Sequence, residues 1–235
     1  MSSVMRNDSK NAGIPENWVR PIAKENLSDQ AYMELRGALM RGQLKPGERL
    51  RLRPMSARFG ISPTPMREAL LRLVFERALV LDARGTVTVP HLTAEQLLEI
   101  RAIRVDLEGN TAAAAAGRAT PQAIDALEQI HARITDCHET GAFDQAIDLN
   151  TQFHLELCKL GNLPITYDLV ENLWVRCGPI LSHLYDAGVP AHWSPHPHRR
   201  ILKALRDRDD TAARDGIRQD ILEGGTGLLD HVRQG

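Results

Sequence analysis

Aromatic side chains are scarce in this chain: Phe, Trp and Tyr together make up 4% of its 235 residues. A core of aromatic and β-branched strands is therefore disfavoured, and abundant leucine and alanine favour helix. Cysteine is scarcer still. Cys137, Cys158 and Cys177 are too few and too scattered for a disulfide framework or a thiolate zinc site, which points to a reducing, cytoplasmic setting. No apolar run approaches the roughly 20 residues that span a bilayer, so no membrane partner is expected. Met1 to Lys10 is polar and carries no apolar stretch of the kind a secretory signal needs. A phosphate loop, a His-Glu-x-x-His helix and a Ser/His/Asp arrangement are also missing, which argues against an enzyme.

What is present is an ordinary globular balance, 43% hydrophobic and 25% charged, with a formal net charge of −1. That near-neutrality hides an asymmetry. Residues 1–90 hold 15 Lys+Arg against 9 Asp+Glu, a balance of +6, and residues 91–235 hold 14 against 21, a balance of −7. A basic first part and an acidic second part suggest one unit that faces phosphates and one that does not.

Residues 1–24 are polar and aperiodic and read as a mobile arm, with Trp18 as the exception that packs onto the body. Residues 25–90 read as a winged helix-turn-helix. Ser28 caps a first helix whose apolar face is Ala31, Tyr32, Leu35, Ala38 and Leu39. Pro54 opens a short second helix that ends on Gly60. The third is expected from about Pro65 to Arg77, with Thr64 as its cap and Pro65 at the first helical position. Met66, Ala69, Leu70, Leu73 and Val74 repeat at helical spacing on one face, which leaves Thr64 and Arg67 on an exposed N-terminal turn. A helix entering a major groove carries its DNA contacts there. Leu79-Val80-Leu81 and Thr86-Val87-Thr88-Val89 flank Asp82-Ala83-Arg84-Gly85, a small hairpin wing whose tip, Arg84 and Gly85, either reaches a minor groove or is merely solvated.

Ser62-Pro63-Thr64-Pro65-Met66-Arg67-Glu68-Ala69-Leu70 resembles the recognition-helix signature of GntR-family bacterial transcription regulators. Gly42-Gln43-Leu44-Lys45-Pro46-Gly47-Glu48-Arg49-Leu50 resembles the loop that precedes it in that family. The resemblance, with the placement of these residues on the motif, implies DNA binding through Arg49, Arg53, Ser62, Thr64 and Arg67. One departure is Pro63, where many members carry a base-contacting arginine; base preference then shifts to Arg67 and neighbouring arginines.

Residues 91–235 read as an all-helical six-helix antiparallel bundle. Its segments are marked by Leu97 to Ala116, Ile124 to Ile134, Phe143 to Leu160, Tyr167 to Ile180, Ile201 to Leu205 and Ile217 to Leu229. Gly224, Gly225 and Gly227 weaken the last helix, whose end is expected to fray. Asn150 and His154 share a helical face, and with Phe153 they resemble the Asp/Asn-x-x-Phe-His motif of the FCD-type ligand domain carried by FadR-like GntR regulators. The resemblance extends to His198 at the start of the penultimate helix. It reaches Asp220, which stands where the family has a histidine 22 residues further on. Asn150, His154, His198 and Asp220 together make a mixed N/O set suited to a divalent ion such as Zn²⁺, Ni²⁺ or Mn²⁺. The alternative is a satisfied buried polar cluster without metal. His196 is placed to compete with His198, and His183 and Cys158 are further candidates, Cys158 better read as a core thiol.

Arg104, in a segment similar to the Arg-x-x-Leu-Glu that opens the family's ligand domain, is either an anchor for an effector carboxylate or the ion-pair partner of Glu108, four residues on. Arg176 is a second such candidate. The expected whole is a regulator that binds a pseudo-palindromic operator in double-stranded DNA as a homodimer and responds to a small organic acid, with coupling through the Pro90-His91-Leu92 junction and the helix carrying Arg104. The rivals are a regulator for which the metal itself is the effector, and a helical metalloenzyme.

Overall fold

The computed structural model describes residues 27–234 apart from 187, 191, 192 and 194. The expected arm and Trp18 lie outside the described residues. The chain runs α1 (Leu27–Met40), β1 (Arg49–Leu50), α2 (Leu52–Phe59), α3 (Pro63–Phe75), β2 (Val80–Leu81) and β3 (Val87–Thr88). Then follow α4 (Ala94–Arg118), α5 (Pro121–Thr140), α6 (Phe143–Leu160), α7 (Pro164–Cys177), a 3-10 segment (Gly178–His183), α8 (His198–Asp207), α9 (Asp210–Gly224) and α10 (Thr226–Gln234). The fold is mainly helical, as composition implies.

The N-terminal unit is a three-helix core with a wing. Met66, Ala69, Leu70 and Leu73 of α3 are buried, the face the helical spacing marks, and pack with Leu35 and Leu39 of α1. Helix α3 begins two residues earlier than expected: Ser62 is its cap residue with extended backbone, Pro63 is the first helical position, and no side chain caps it. Its prolines account for this. Pro63 and Pro65 both lie in the first turn, where amides have no intrahelical acceptor, so their missing N–H groups remove two donors a cap would otherwise have to satisfy. Thr64 is thus inside the first turn and exposed, not the cap. The same holds in α2, which starts at Leu52 with Pro54 in its first turn and ends on Gly60 at φ 65°.

The wing is three-stranded rather than a bare hairpin. Strand β3 pairs antiparallel with β2 (Val80↔Thr88, Leu81↔Val87) and also with β1 (Arg49↔Thr88, Leu50↔Val87). The tip is tied by the Asp82 carboxylate, which accepts from the backbone amides of Arg84 at 2.9 Å and Thr86 at 2.8 Å.

In the second unit α4 is the spine, packed chiefly on α9, with α6 and α7 beside it. Thr93 and Gln96 make a reciprocal capping box at its start. Thr120 caps α5 and Asp209 caps α9. The expected last helix is two pieces, broken at Gly225. Leu228 and Leu229 are buried after the break, so apolar burial restarts the helix that the glycines interrupt. One contiguous apolar cluster fills this unit, and a second fills the N-terminal unit; the latter includes Val175 of α7.

The two units meet at α1 and α7. Arg36, almost fully buried, pairs with Glu171 at 2.6 Å and donates to the Asn172 side-chain oxygen at 2.9 Å. Gly178, where α7 gives way to the 3-10 segment, lies so close to α1 that a Cβ there would run into the Leu39 carbonyl oxygen and Met40 Cα. The Pro90 junction expected to carry coupling is therefore accompanied by a packed contact.

Candidate functional site

Two surfaces carry chemistry. On the N-terminal unit, Arg49, Arg53, Ser62, Thr64, Arg67, Arg84 and Gly85 are all exposed. Among the described residues none of these four arginines forms an ion pair. Arg67 and Gly85 line one cleft between α3 and the wing, together with Arg51. The sequence signals Arg51 only through the alternation Arg49-Leu50-Arg51-Leu52-Arg53. Uncommitted guanidinium groups flanking an exposed helix N-terminus suit phosphate and base-edge contacts.

The second surface is a pocket inside the helical unit, bounded by α4, α6, α7, the 3-10 segment and α9–α10. Its walls are apolar, from Leu97, Ile100, Ile180, Leu181 and Leu228, and its polar end is Arg104, Asn150, His154 and Asp220. These last four come together as sequence and resemblance suggested. Arg176 does not line the pocket. On α7 it is two residues from Trp174, about 200° around the helix, and Trp174 faces the cavity.

The polar end is a chain of buried charge. Arg104 Nε donates to Glu108 Oε1 at 2.6 Å, so the expected i, i+4 ion pair forms, and the guanidinium lies 3.9 Å over the Trp174 ring. Trp174 Nε1 also donates to Glu108 Oε1, at 3.2 Å. Glu108 Oε2 lies 2.8 Å from His154 Nδ1, and His154 Nε2 lies 3.0 Å from Asp220 Oδ2. Both ring nitrogens face carboxylate oxygens, which only accept, so the arrangement fits an imidazolium that donates twice. Burial works to lower the His154 pKa, but bonds to Asp220 and Glu108 outweigh it and carry the group to about 9. Burial would raise Glu108; Arg104 and His154 hold it instead at about 2. Arg104 Nη1 approaches Cys177 Sγ at 3.7 Å.

His198, the remaining member of the expected metal set, stands behind the pocket. It is fully buried, stacked on Phe153 with centroids 3.7 Å apart, and its Nε2 is 3.7 Å from Asp220 Oδ1. One ligand atom from each of His154, His198 and Asp220 falls within 4.8 Å of the others. The donor types fit a borderline divalent ion, and the unpartnered nitrogens of His198 leave it free to ligate. His154 is already engaged on both sides, so an ion there must displace its proton and its bond to Asp220. Glu108 orients His154 as a carboxylate commonly orients a metal-ligating imidazole, a role the sequence showed only through its spacing from Arg104. Cys158 accepts from Thr111 Oγ1 at 3.2 Å and is a core thiol; His183 pairs with Asp186, away from the pocket.

Comparison with known proteins bears on both surfaces. Residues 27–89 match the bacterial regulatory proteins of the gntR family, and residues 99–222 match the FCD domain. The HTH-type transcriptional regulator McbR of Escherichia coli K12 is 37% identical over 191 residues, 80% of this chain and 86% of that protein. The Nta operon transcriptional regulator of Aminobacter aminovorans is 32% identical over 169 residues, 72% of this chain and 80% of that one. The solved structure of E. coli McbR/YncC superposes with a TM-score of 0.82 at 34% identity, covering 89% of this chain and 99% of that one. A gntR-type winged unit over residues 27–89, joined to an FCD unit over residues 99–222 that encloses a polar-ended pocket, places this chain in the GntR family of bacterial transcription regulators, as a member with an FCD domain.

Proposed function

We propose that the chain is a dimeric operator-binding regulator whose effector is a small organic acid held at the polar end of the FCD pocket. One observation carries the reading: the pocket wall and the seat of the DNA-binding unit are the same piece of chain. Trp174, Cys177, Ile180 and Leu181 line the cavity, while Glu171, Asn172, Val175 and Gly178, interleaved with them, hold α1. Helix α1 in turn packs on α3. A ligand that favours one setting of α7 therefore favours one setting of the recognition helix, the differential binding that a switch requires. The Arg104 guanidinium and the Asn150 amide line the pocket as donors for a carboxylate, and the apolar walls suit an acid with a hydrocarbon body. Two copies docked on successive grooves of a pseudo-palindrome complete the reading, in the cytoplasm where the DNA is.

A second reading has a divalent ion as effector, held by His154, His198 and Asp220 with Asn150; the unpartnered ring nitrogens of His198 favour it. The test is a thermal-shift panel of mono- and dicarboxylic acids and of Zn²⁺, Ni²⁺ and Mn²⁺ on tag-free protein, in wild type and Asn150→Ala. Stabilisation by an acid that is lost in Asn150→Ala supports the first reading. Stabilisation by ions alone supports the second, and no response to either overturns both.

A further inference from the structure

Three histidines outside the pocket converge on one point. His131 comes from the middle of α5, His196 from the loop before α8, and His198 from the first position of α8. One ring nitrogen from each lies within 4.8 Å of the others. The ring centroids are 4.4 Å apart for His196–His198, 5.1 Å for His131–His196 and 5.6 Å for His131–His198. Buried imidazole nitrogens ordinarily find a hydrogen-bond partner. Here His131 Nδ1, His196 Nε2 and both nitrogens of His198 have none among the described residues. His198 is fully buried and His196 is 9% exposed. The backbone N–H of His198 donates to His196 Nδ1 at 3.2 Å. Ring stacking leaves the other nitrogens unanswered, and a shared Lewis acid would answer them together.

We propose that His131, His196 and His198 form a binding site for a borderline divalent transition ion of the Zn²⁺, Ni²⁺ or Co²⁺ class, distinct from the His154–Asp220 set. Three imidazoles without a carboxylate or thiolate select such ions over Mg²⁺ and Ca²⁺. The site opens on a surface cleft lined by Thr135, Asp136 and Arg199, which supplies an entry path and a fourth position for water or a small anion. Metal–nitrogen bonds of about 2.0–2.1 Å bring tetrahedral ligand nitrogens to roughly 3.4 Å apart, so the rings must close on one another. His131 is half-buried and His196 sits on a loop, so these two can turn, while Phe153 clamps His198. His196 binds either by releasing its backbone hydrogen bond at Nδ1 or by turning its ring.

This site competes with the pocket. A neutral imidazole has one lone pair, so His198 cannot serve an ion here and another beside Asp220 together. His154 already has both nitrogens on carboxylates, whereas His131 and His196 each present a nitrogen with no partner. The outer site therefore takes the ion first.

The experiment is titration of tag-free, chelator-stripped, full-length protein with Co²⁺, read by its visible d–d absorption, and with Zn²⁺ by calorimetry. One ion per chain is expected, with affinity falling roughly a hundredfold or more in His131→Gln/His196→Gln and persisting in Asp220→Asn. His131→Gln alone, at a half-buried position, gives the same direction of change if the double variant folds poorly. Wild-type protein that takes up no Co²⁺ overturns the proposal, as does unchanged affinity in His131→Gln/His196→Gln. Loss in Asp220→Asn with retention in the histidine variants places the ion in the pocket, which sustains the second functional reading and overturns this one.

Discussion

Arg67 and Arg104 are the same residue type in opposite circumstances. Arg67 is exposed at the start of α3 and forms no ion pair among the described residues; Arg104 is 8% exposed, paired with Glu108 and covered by Trp174. The contrast extends to the units around them. The winged unit keeps Arg49, Arg53, Arg67 and Arg84 in water, uncommitted, where a phosphate backbone can collect them. The helical unit takes charge out of water and must then answer each charge with another: Arg104 with Glu108, Glu108 with His154, His154 with Asp220. A surface charge is thus replaceable for folding, and a buried one, whatever it also binds, is not.

Breaking the buried chain should give the largest effect. Glu108→Ala leaves Arg104 and His154 facing each other without their carboxylate, and a buried pair deprived of one member costs about 3–5 kcal/mol. Urea unfolding should show that loss, while Arg67→Ala should stay within about 0.5 kcal/mol of wild type. Equal stability in Glu108→Ala would remove the basis of the comparison.

The pH dependence sharpens it. His154 is held protonated to about 9 against an ordinary 6.5, so its contribution is complete below pH 6.5 and is lost as pH rises toward 9. For a fully buried group the loss is roughly 3 kcal/mol. His196, pushed by burial down to about 4, acts on the other side: the unfolded chain takes its proton below pH 6.5 and the folded one does not, so stability falls as pH drops toward 4. Glu108, held at about 2, adds a further loss below pH 4.5. Metal-stripped protein should be most stable near pH 6.5, and His154→Gln should flatten the alkaline limb. An alkaline limb unchanged in that variant would mean that His154 is not the group responsible.

On the exposed side the effects are on binding. Arg67→Ala should cost about 1–3 kcal/mol in operator affinity and relax base preference, since a base-edge contact carries sequence information. Arg84→Ala at the wing tip should do less. Loss of one phosphate contact lowers the slope of log affinity against log salt by roughly 0.9 with little change in preference. Fluorescence anisotropy across a salt series, on an operator selected from a random pool, separates the two; a changed base preference in Arg84→Ala would place the wing tip on base edges instead.

Legibility in the sequence followed the range of the interactions. The buried face of α3 was visible because Met66, Ala69, Leu70 and Leu73 repeat within eight residues. That helix starts ahead of the Thr64 cap the sequence suggests because Pro63 and Pro65 remove two first-turn donors, so no capping side chain is needed. Strand β1 is two residues long and gains its identity from β3, nearly 40 positions later, so no local pattern marks it. In the helical unit, family resemblance marks Asn150, His154 and Asp220, and only the spacing from Arg104 marks Glu108. His131 had no sequence signal: its neighbours His196 and His198 lie more than 60 residues away and meet it only in the folded bundle. The α1–α7 contact was invisible for the same reason, and it displaces the Pro90 junction as the main route proposed between the units.

That route is the central claim, and effector titration with and without operator tests it most directly. The titrant is the acid that most raises the melting temperature of the wild type. Operator DNA should change its affinity about 5–150-fold, a coupling of about 1–3 kcal/mol, and Arg36→Met, which severs α1 from Glu171 and Asn172, should bring the two affinities together. Equal acid affinities with and without operator in the wild type would contradict it.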